Sequence, residues 1–98
     1  MLLLKLNSRG DLMKHIYHIG KCPICAPYGQ MEILFDCLAG KCFVMCDECS
    51  IEFQSVHDYY KTNGKRIFYK ENEKIHPVRP ATLNEIKDTE WHSLITDN

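Results

Sequence analysis

Residues 22–49 read CPICAPYGQMEILFDCLAGKCFVMCDEC, and the cysteines at the two ends of this stretch decide how the chain is organised. Cys22-Pro23-Ile24-Cys25 opens it and Cys46-Asp47-Glu48-Cys49 closes it, with twenty residues between the pairs. Two Cys-x-x-Cys pairs at that separation have the spacing of a zinc site. Four thiolates complete the tetrahedral shell that such an ion takes, and the two-residue gap lets one tight turn aim both sulfurs of a pair at one ion. Cys22, Cys25, Cys46 and Cys49 are therefore the expected metal ligands, with Zn²⁺ as the expected structural cofactor. Iron in a rubredoxin-like site is compatible with the same donors.

The segment between the pairs reads as a hairpin. Met31, Ile33, Phe35 and Cys37 alternate with Glu32, Leu34 and Asp36, Leu38-Ala39-Gly40 turns the chain, and Lys41 to Cys46 returns through Phe43, Val44 and Met45. Antiparallel pairing carries the two ends of such a stretch back together, so the strand pattern and the ligand spacing predict the same geometry.

Upstream, His15 to Ile19 alternates polar and apolar and predicts a short strand entering the first pair. Downstream, Ser50 to Phe53 extends the sheet. Ser55-Val56-His57-Asp58 starts a short helix that bears Tyr59 and Tyr60 and stops near Asn63-Gly64. Lys65 to Lys70 predicts an additional strand, and the polar stretch from Glu71 to Pro80, broken by Pro77 and Pro80, predicts a loop. Thr82-Leu83-Asn84-Glu85 has the form of a capping box opening a C-terminal helix with Leu83, Ile86, Trp91, Leu94 and Ile95 on its apolar side. Trp91 is out of phase with one uninterrupted helix, so two short turns meeting near Thr89-Glu90 fit the pattern equally well. Trp91 itself is expected to anchor this segment in the core.

The expected fold is α+β: a small β-hairpin metal core with an additional strand and a C-terminal helix. At 98 residues the chain makes one small domain over 13–98, with the metal core at 20–53, an extension at 55–97 and a flexible leader at 1–12; Met13 is an alternative start to Met1. A chain this short buries a modest core, which a metal staple supplements. No apolar run approaches the roughly 18 residues of a membrane span. Met1 to Leu6 is too short for a secretory core and is followed by polar Asn7 to Asp11. A cytoplasmic location is expected, where paired cysteines serve as ligands rather than disulfides.

Other constellations carry less chemistry. Cys37 and Cys42 are expected to be small core fillers, with an alternative ligand set or a cross-strand pair left open. His18, four residues before Cys22, is expected at the surface near the site rather than as a ligand. Cys22 and Cys25 also have the form of a thiol oxidoreductase pair, although that chemistry wants a strand–helix context. No His-x-Glu of the zinc deaminases occurs, nor a phosphate-binding glycine loop or a Gly-x-Ser-x-Gly elbow, and a non-enzymatic role is expected.

Charge is unevenly spread. Between 22 and 56, Glu32, Asp36, Asp47, Glu48 and Glu52 face Lys41 alone, which argues against this half gripping a phosphate backbone. Residues 57–80 are basic, and Lys65, Arg66, Phe68 and Lys70 interleave charge with aromatic rings, as single-strand nucleic-acid surfaces do. An edge strand protected by lysines gives the same pattern.

The two cysteine pairs joined by a hairpin resemble the zinc-ribbon superfamily over residues 20–53. Ribbon knuckles commonly carry glycine after the second cysteine, where this chain has Ala26 and Ser50. More loosely, Cys46-Asp47-Glu48-Cys49, the segment Phe53 to Tyr60, Ala81 to Ile86 and Trp91 follow the order found in small bacterial zinc-ribbon proteins similar to immunity or accessory partners of polymorphic toxins. That resemblance implies a protein-binding module that occludes a cognate, cationic toxin. Asp36, Asp47, Glu48, Glu52, Glu85, Asp88 and Glu90 are the expected partner contacts. A nucleic-acid or translation-associated ribbon and a thiol oxidoreductase are the alternatives.

Overall fold

The hydrophobic alternation of the central stretch becomes the middle of an antiparallel sheet. The computed structural model describes residues 15–66 and 77–96. Within them six strands form: β1 (His18–Lys21), β2 (Gln30–Asp36), β3 (Lys41–Cys46), β4 (Ile51–Phe53), β5 (Lys65–Arg66) and β6 (Val78–Pro80). They run in the order β1-β2-β3-β4-β5, with β6 also paired to β2. The β2–β3 hairpin keeps an unbroken register from Met31 opposite Cys46 to Asp36 opposite Lys41. Asp36 helps close the turn, its Oδ1 accepting from the backbone N–H groups of Leu38 (2.9 Å) and Ala39 (3.0 Å).

Because cross-strand partners share a face, this register sets Met31, Ile33 and Phe35 beside Cys46, Val44 and Cys42. Met31, Ile33, Val44, Phe53, Ile86 and Trp91 are each at most 2% exposed and form the centre of the core. Leu34 and Phe43, paired with each other on the opposite face, are buried as well. The strand is thus apolar on both sides near its middle, where strict alternation would leave Leu34 in water.

The other β2 edge is shared by two strands laid end to end. β1 pairs with its start, His18 opposite Glu32 and Lys21 opposite Gln30 with an irregularity between them. β6 pairs with its end, from Leu34 opposite Pro80 to Asp36 opposite Val78. The expected strand from His15 to Ile19 therefore lies a few residues later, although Tyr17 already accepts a hydrogen bond from Ile33 N at 2.8 Å. The loop expected from Glu71 to Pro80 is corrected at its end, where Val78, Arg79 and Pro80 form a strand; Glu71 to His76 lie outside the described residues. Pro77 before the strand and Pro80 as its last residue suit an edge that has one partner and needs few donors. Of the expected strand Lys65 to Lys70, the part Ile67 to Lys70 lies outside the described residues, as do the leader 1–12 and Met13.

Helical structure is brief and capped by side chains. Ser55 caps α1 (Val56–Tyr60), its hydroxyl accepting from Asp58 N at 3.1 Å. Thr82 and Glu85 form a complete capping box on α2 (Leu83–Ile86). The C-terminal segment is two turns rather than one helix: α2 ends after one turn, and a 3₁₀ turn at His92–Leu94 follows. Thr89 makes the break, its hydroxyl donating to Ile86 O at 2.7 Å and accepting from Trp91 N at 3.2 Å. That re-aimed turn puts Trp91, 2% exposed, edge-on to Tyr59 with ring centroids 6.5 Å apart. Tyr59 in turn stands edge-on to Phe53 at 5.6 Å, so the C-terminal segment is held to the sheet through aromatic packing. Among the described residues no helix is long and apolar enough to cross a membrane.

Candidate metal centre

Two turns at one end of the sheet bring the four paired cysteines together. Cys22 follows directly on β1, and the loop 22–29 returns to β2 with Cys22 N donating to Gly29 O at 2.8 Å and Tyr28 N to Cys25 O at 3.1 Å. Cys46 is the last residue of β3, and Cys49 lies in the turn to β4. The loops are tied to each other by backbone: Asp47 N donates to Gln30 O (3.0 Å) and Gln30 N donates to Asp47 Oδ1 (3.0 Å).

The four sulfurs lie within 4.8 Å of one another. Cys22 Sγ and Cys49 Sγ are 3.7 Å apart, and Cys25 Sγ and Cys46 Sγ 3.5 Å. A tetrahedron with metal–sulfur bonds of about 2.3 Å has an edge of about 3.8 Å, so the cluster has the dimensions of a tetrathiolate shell. The donor set suits zinc or iron.

The two loops support their sulfurs in the same way. Ile24 N and Cys25 N point at Cys22 Sγ at 3.3 and 3.5 Å, and Glu48 N and Cys49 N at Cys46 Sγ at 3.3 and 3.4 Å. Such N–H groups offset thiolate charge where water cannot reach it, and Cys22 and Cys46 are at most 1% exposed. Burial pushes the Cys22 thiol up from its ordinary value. Burial followed by the neighbouring sulfurs pushes Cys25 up to about 12. Crowded thiols of this kind keep their protons at neutral pH unless a cation replaces them, so metal binding here releases protons and strengthens as pH rises.

Gly29 completes the centre. A Cβ on it would lie 2.8 Å from Cys25 Sγ and would overlap Cys46 Sγ, with Glu48 Cβ at 3.3 Å. Only a residue without a side chain lets the backbone close over both sulfurs. The sequence marks Pro27-Tyr28-Gly29 as a turn, but the demand on Gly29 comes from the other loop, which local sequence does not show. Ser50, the residue after Cys49, has φ +64, a left-handed conformation that favours glycine.

The remaining cysteines stand apart. Cys42 is 6% exposed, its thiol donating to Glu85 O at 3.6 Å, and fills space beneath α2 as expected. Cys37 is exposed in the β2–β3 turn and is not a core filler. Hairpin register explains the difference, since Cys37 falls one residue beyond the last pair, Asp36 opposite Lys41, and so enters the exposed turn. Both are free thiols outside the four-sulfur cluster. His18 is half-buried in β1, outside that cluster.

Most of the expected acidic contacts serve the fold. Asp36 and Asp47 accept the backbone bonds given above, and Glu52 is 7% exposed in the middle of β4. Glu85 accepts from both terminal nitrogens of Arg79 and from Thr82 N; the guanidinium holds its carboxyl down to about 2. Glu90 Oε2 accepts from Val56 N at 3.2 Å. Glu48 and Asp88 are exposed. Of the expected nucleic-acid contacts, Lys65 is exposed on β5, whereas Phe68, Lys70 and the side chain of Arg66 lie outside the described residues.

Comparison with known protein families, curated proteins and solved structures finds no match to this chain.

Proposed function

We propose that this chain is a non-enzymatic, cytoplasmic protein-binding module with a zinc-ribbon-like core, in which Zn²⁺ held by Cys22, Cys25, Cys46 and Cys49 fixes the fold. The observation that supports this reading is the closure of the donor set. Four sulfurs at tetrahedral spacing leave no coordination position for water or substrate, and a closed shell marks a structural ion. Binding such an ion supplies on the order of 10 kcal/mol toward folding, comparable with the whole stability of a small domain.

A tetrathiolate zinc carries a net negative charge, and Asp47 and Glu48 lie within the same turn. An anionic face of this kind steers a cationic protein toward it and repels a nucleic-acid backbone. Together with the sequence resemblance this supports an immunity-type role, the occlusion of a cationic toxin. The oxidoreductase alternative is weaker. Cys22 and Cys25 sit in a strand-to-strand turn, and Cys22 is 0% exposed, while a reactive first cysteine wants an accessible, low-pKa setting such as a helix N-terminus.

The test is folding against metal. Metal-free protein titrated with zinc and followed by circular dichroism should gain its sheet signal in step with one equivalent of ion, and chelation should abolish it. A fold unchanged by chelation would contradict the structural role.

A further inference from the structure

The loop 22–29 does more than supply two ligands. Between Cys22 and Gly29, every residue except Cys25 is exposed. Five consecutive non-ligand positions, Pro23, Ile24, Ala26, Pro27 and Tyr28, are apolar or aromatic. Ile24 is 43% exposed and Tyr28 80%. Exposing an aromatic ring and an isoleucine together on one rigid turn is unfavourable in water and marks a contact surface when the residues are contiguous. The turn is rigid because Cys22 N–Gly29 O and the Gln30–Asp47 pair fix both ends, so little ordering entropy is lost on docking.

From these observations we infer that the first cysteine loop is an apolar knob, with Tyr28 and Ile24 at its tip, that inserts into an apolar cleft of a partner protein bordered by lysines or arginines. The inference rests on the protein-binding reading above and deepens it by naming the surface and the chemistry of the partner. Charge selects the occupant. Asp47 and Glu48, both exposed on the adjacent turn, together with the negative charge that a tetrathiolate ion would carry, outweigh Lys21, the one cation in the two cysteine turns 21–29 and 46–49. That field opposes nucleic acid and anionic lipid and favours a basic rim. A Tyr in an apolar pocket ringed by charge complementarity has the composition of an interface hot spot. Asp36, Glu52, Glu85 and Glu90 are engaged within the fold, which leaves the apolar loop to carry affinity and the exposed charges of Asp47 and Glu48 beside it to carry selectivity.

The experiment places a photo-reactive benzophenone amino acid at Tyr28, at Ile24 and, as control, at Leu38, which is 68% exposed in the hairpin turn about 20 Å from the knob along the strands. Cross-linking is run in cells of the source organism, and the cross-linked protein is then purified and titrated against the whole chain. The inference expects one protein cross-linked from Tyr28 and Ile24 but not from Leu38, through a peptide that is apolar and flanked by basic residues. It further expects at least tenfold weaker binding of that protein to Tyr28→Ser, with metal content and melting temperature unchanged because the Tyr28 side chain is 80% exposed. Cross-links to nucleic acid, lipid or a second copy of the chain would overturn it, as would wild-type affinity of Tyr28→Ser. A protein captured from Leu38 alone would overturn the knob and leave the protein-binding reading standing. Capture of no protein from any of the three positions would overturn both.

Discussion

Replacing Gly29 by alanine puts one methyl group into the space between two of the four sulfurs. The new Cβ would lie 2.8 Å from Cys25 Sγ and overlap Cys46 Sγ, whereas uncompressed contacts between such atoms lie at about 3.5–4.0 Å. One sulfur or the loop must therefore retreat by on the order of 1 Å, and metal–ligand distances tolerate only about 0.2 Å. Neither sulfur can give way alone, because Cys46 is fixed by the β2–β3 register and Cys25 by the Tyr28 N–Cys25 O bond. Displacing a residue that merely orients ligands costs about 10–100-fold in affinity; displacing a ligand should cost at least about 100-fold, or about 2.7 kcal/mol. Cobalt substitution reads both affinity and geometry, since a tetrahedral thiolate site has a characteristic visible spectrum. Gly29→Ala should bind cobalt and zinc at least about 100-fold more weakly in chelator competition, with a distorted spectrum. Gly40→Ala is the control, because its φ of +71 strains a new side chain while nothing lies within 4 Å of it; it should lower stability without changing the spectrum. Wild-type affinity and spectrum in Gly29→Ala would refute the close approach of the two loops.

Three further outcomes follow from the same geometry. Ser50→Gly should raise the denaturation midpoint by about 0.5–1 kcal/mol of stability, since it removes the cost of a left-handed non-glycine residue less the entropy that glycine adds to the unfolded chain; an unchanged midpoint would show that the serine conformation is unstrained. Trp91→Ala should cost about 3–5 kcal/mol in denaturant unfolding of the zinc-loaded protein, and a loss under 1 kcal/mol would mean that the C-terminal turn is not part of the core. The carboxyl of Glu85 is lowered from 4.5 to about 2 by Arg79. The stability it contributes is therefore fully present above about pH 4.5 and disappears as pH falls toward 2. The stability difference between the wild type and Glu85→Gln should shrink over that window, and a difference independent of pH would contradict the ion pair.

The parts of this molecule that were readable in advance are those written locally. Cysteine spacing, the alternation from Met31 to Cys46, the Ser55 cap and the Thr82–Glu85 capping box each depend on residues a few positions apart, and each has its physical counterpart in the structure. What escaped depends on partners remote in sequence. Val78 to Pro80 follows Pro77 and ends on a second proline, so it reads as loop, yet the edge of β2 beyond β1 gives it a strand to pair with. Gly29 looks like an ordinary turn glycine until Cys46 is brought opposite it. The acidic residues read as partner contacts, but Asp47 closes one loop on another and Glu90 reaches the N-terminus of α1, contacts that no periodicity encodes. Cys37 and Cys42 have the same composition signal, and only the end of the hairpin register separates the exposed one from the buried one.

The central claim is that four sulfurs from two turns hold one structural ion. X-ray absorption at the zinc edge, on protein purified without chelators, tests it most directly. The account predicts one zinc per chain surrounded by four sulfurs at about 2.3 Å, with the signal lost in Cys49→Ser. Zinc-free folded protein, or a shell containing nitrogen or oxygen, would contradict it.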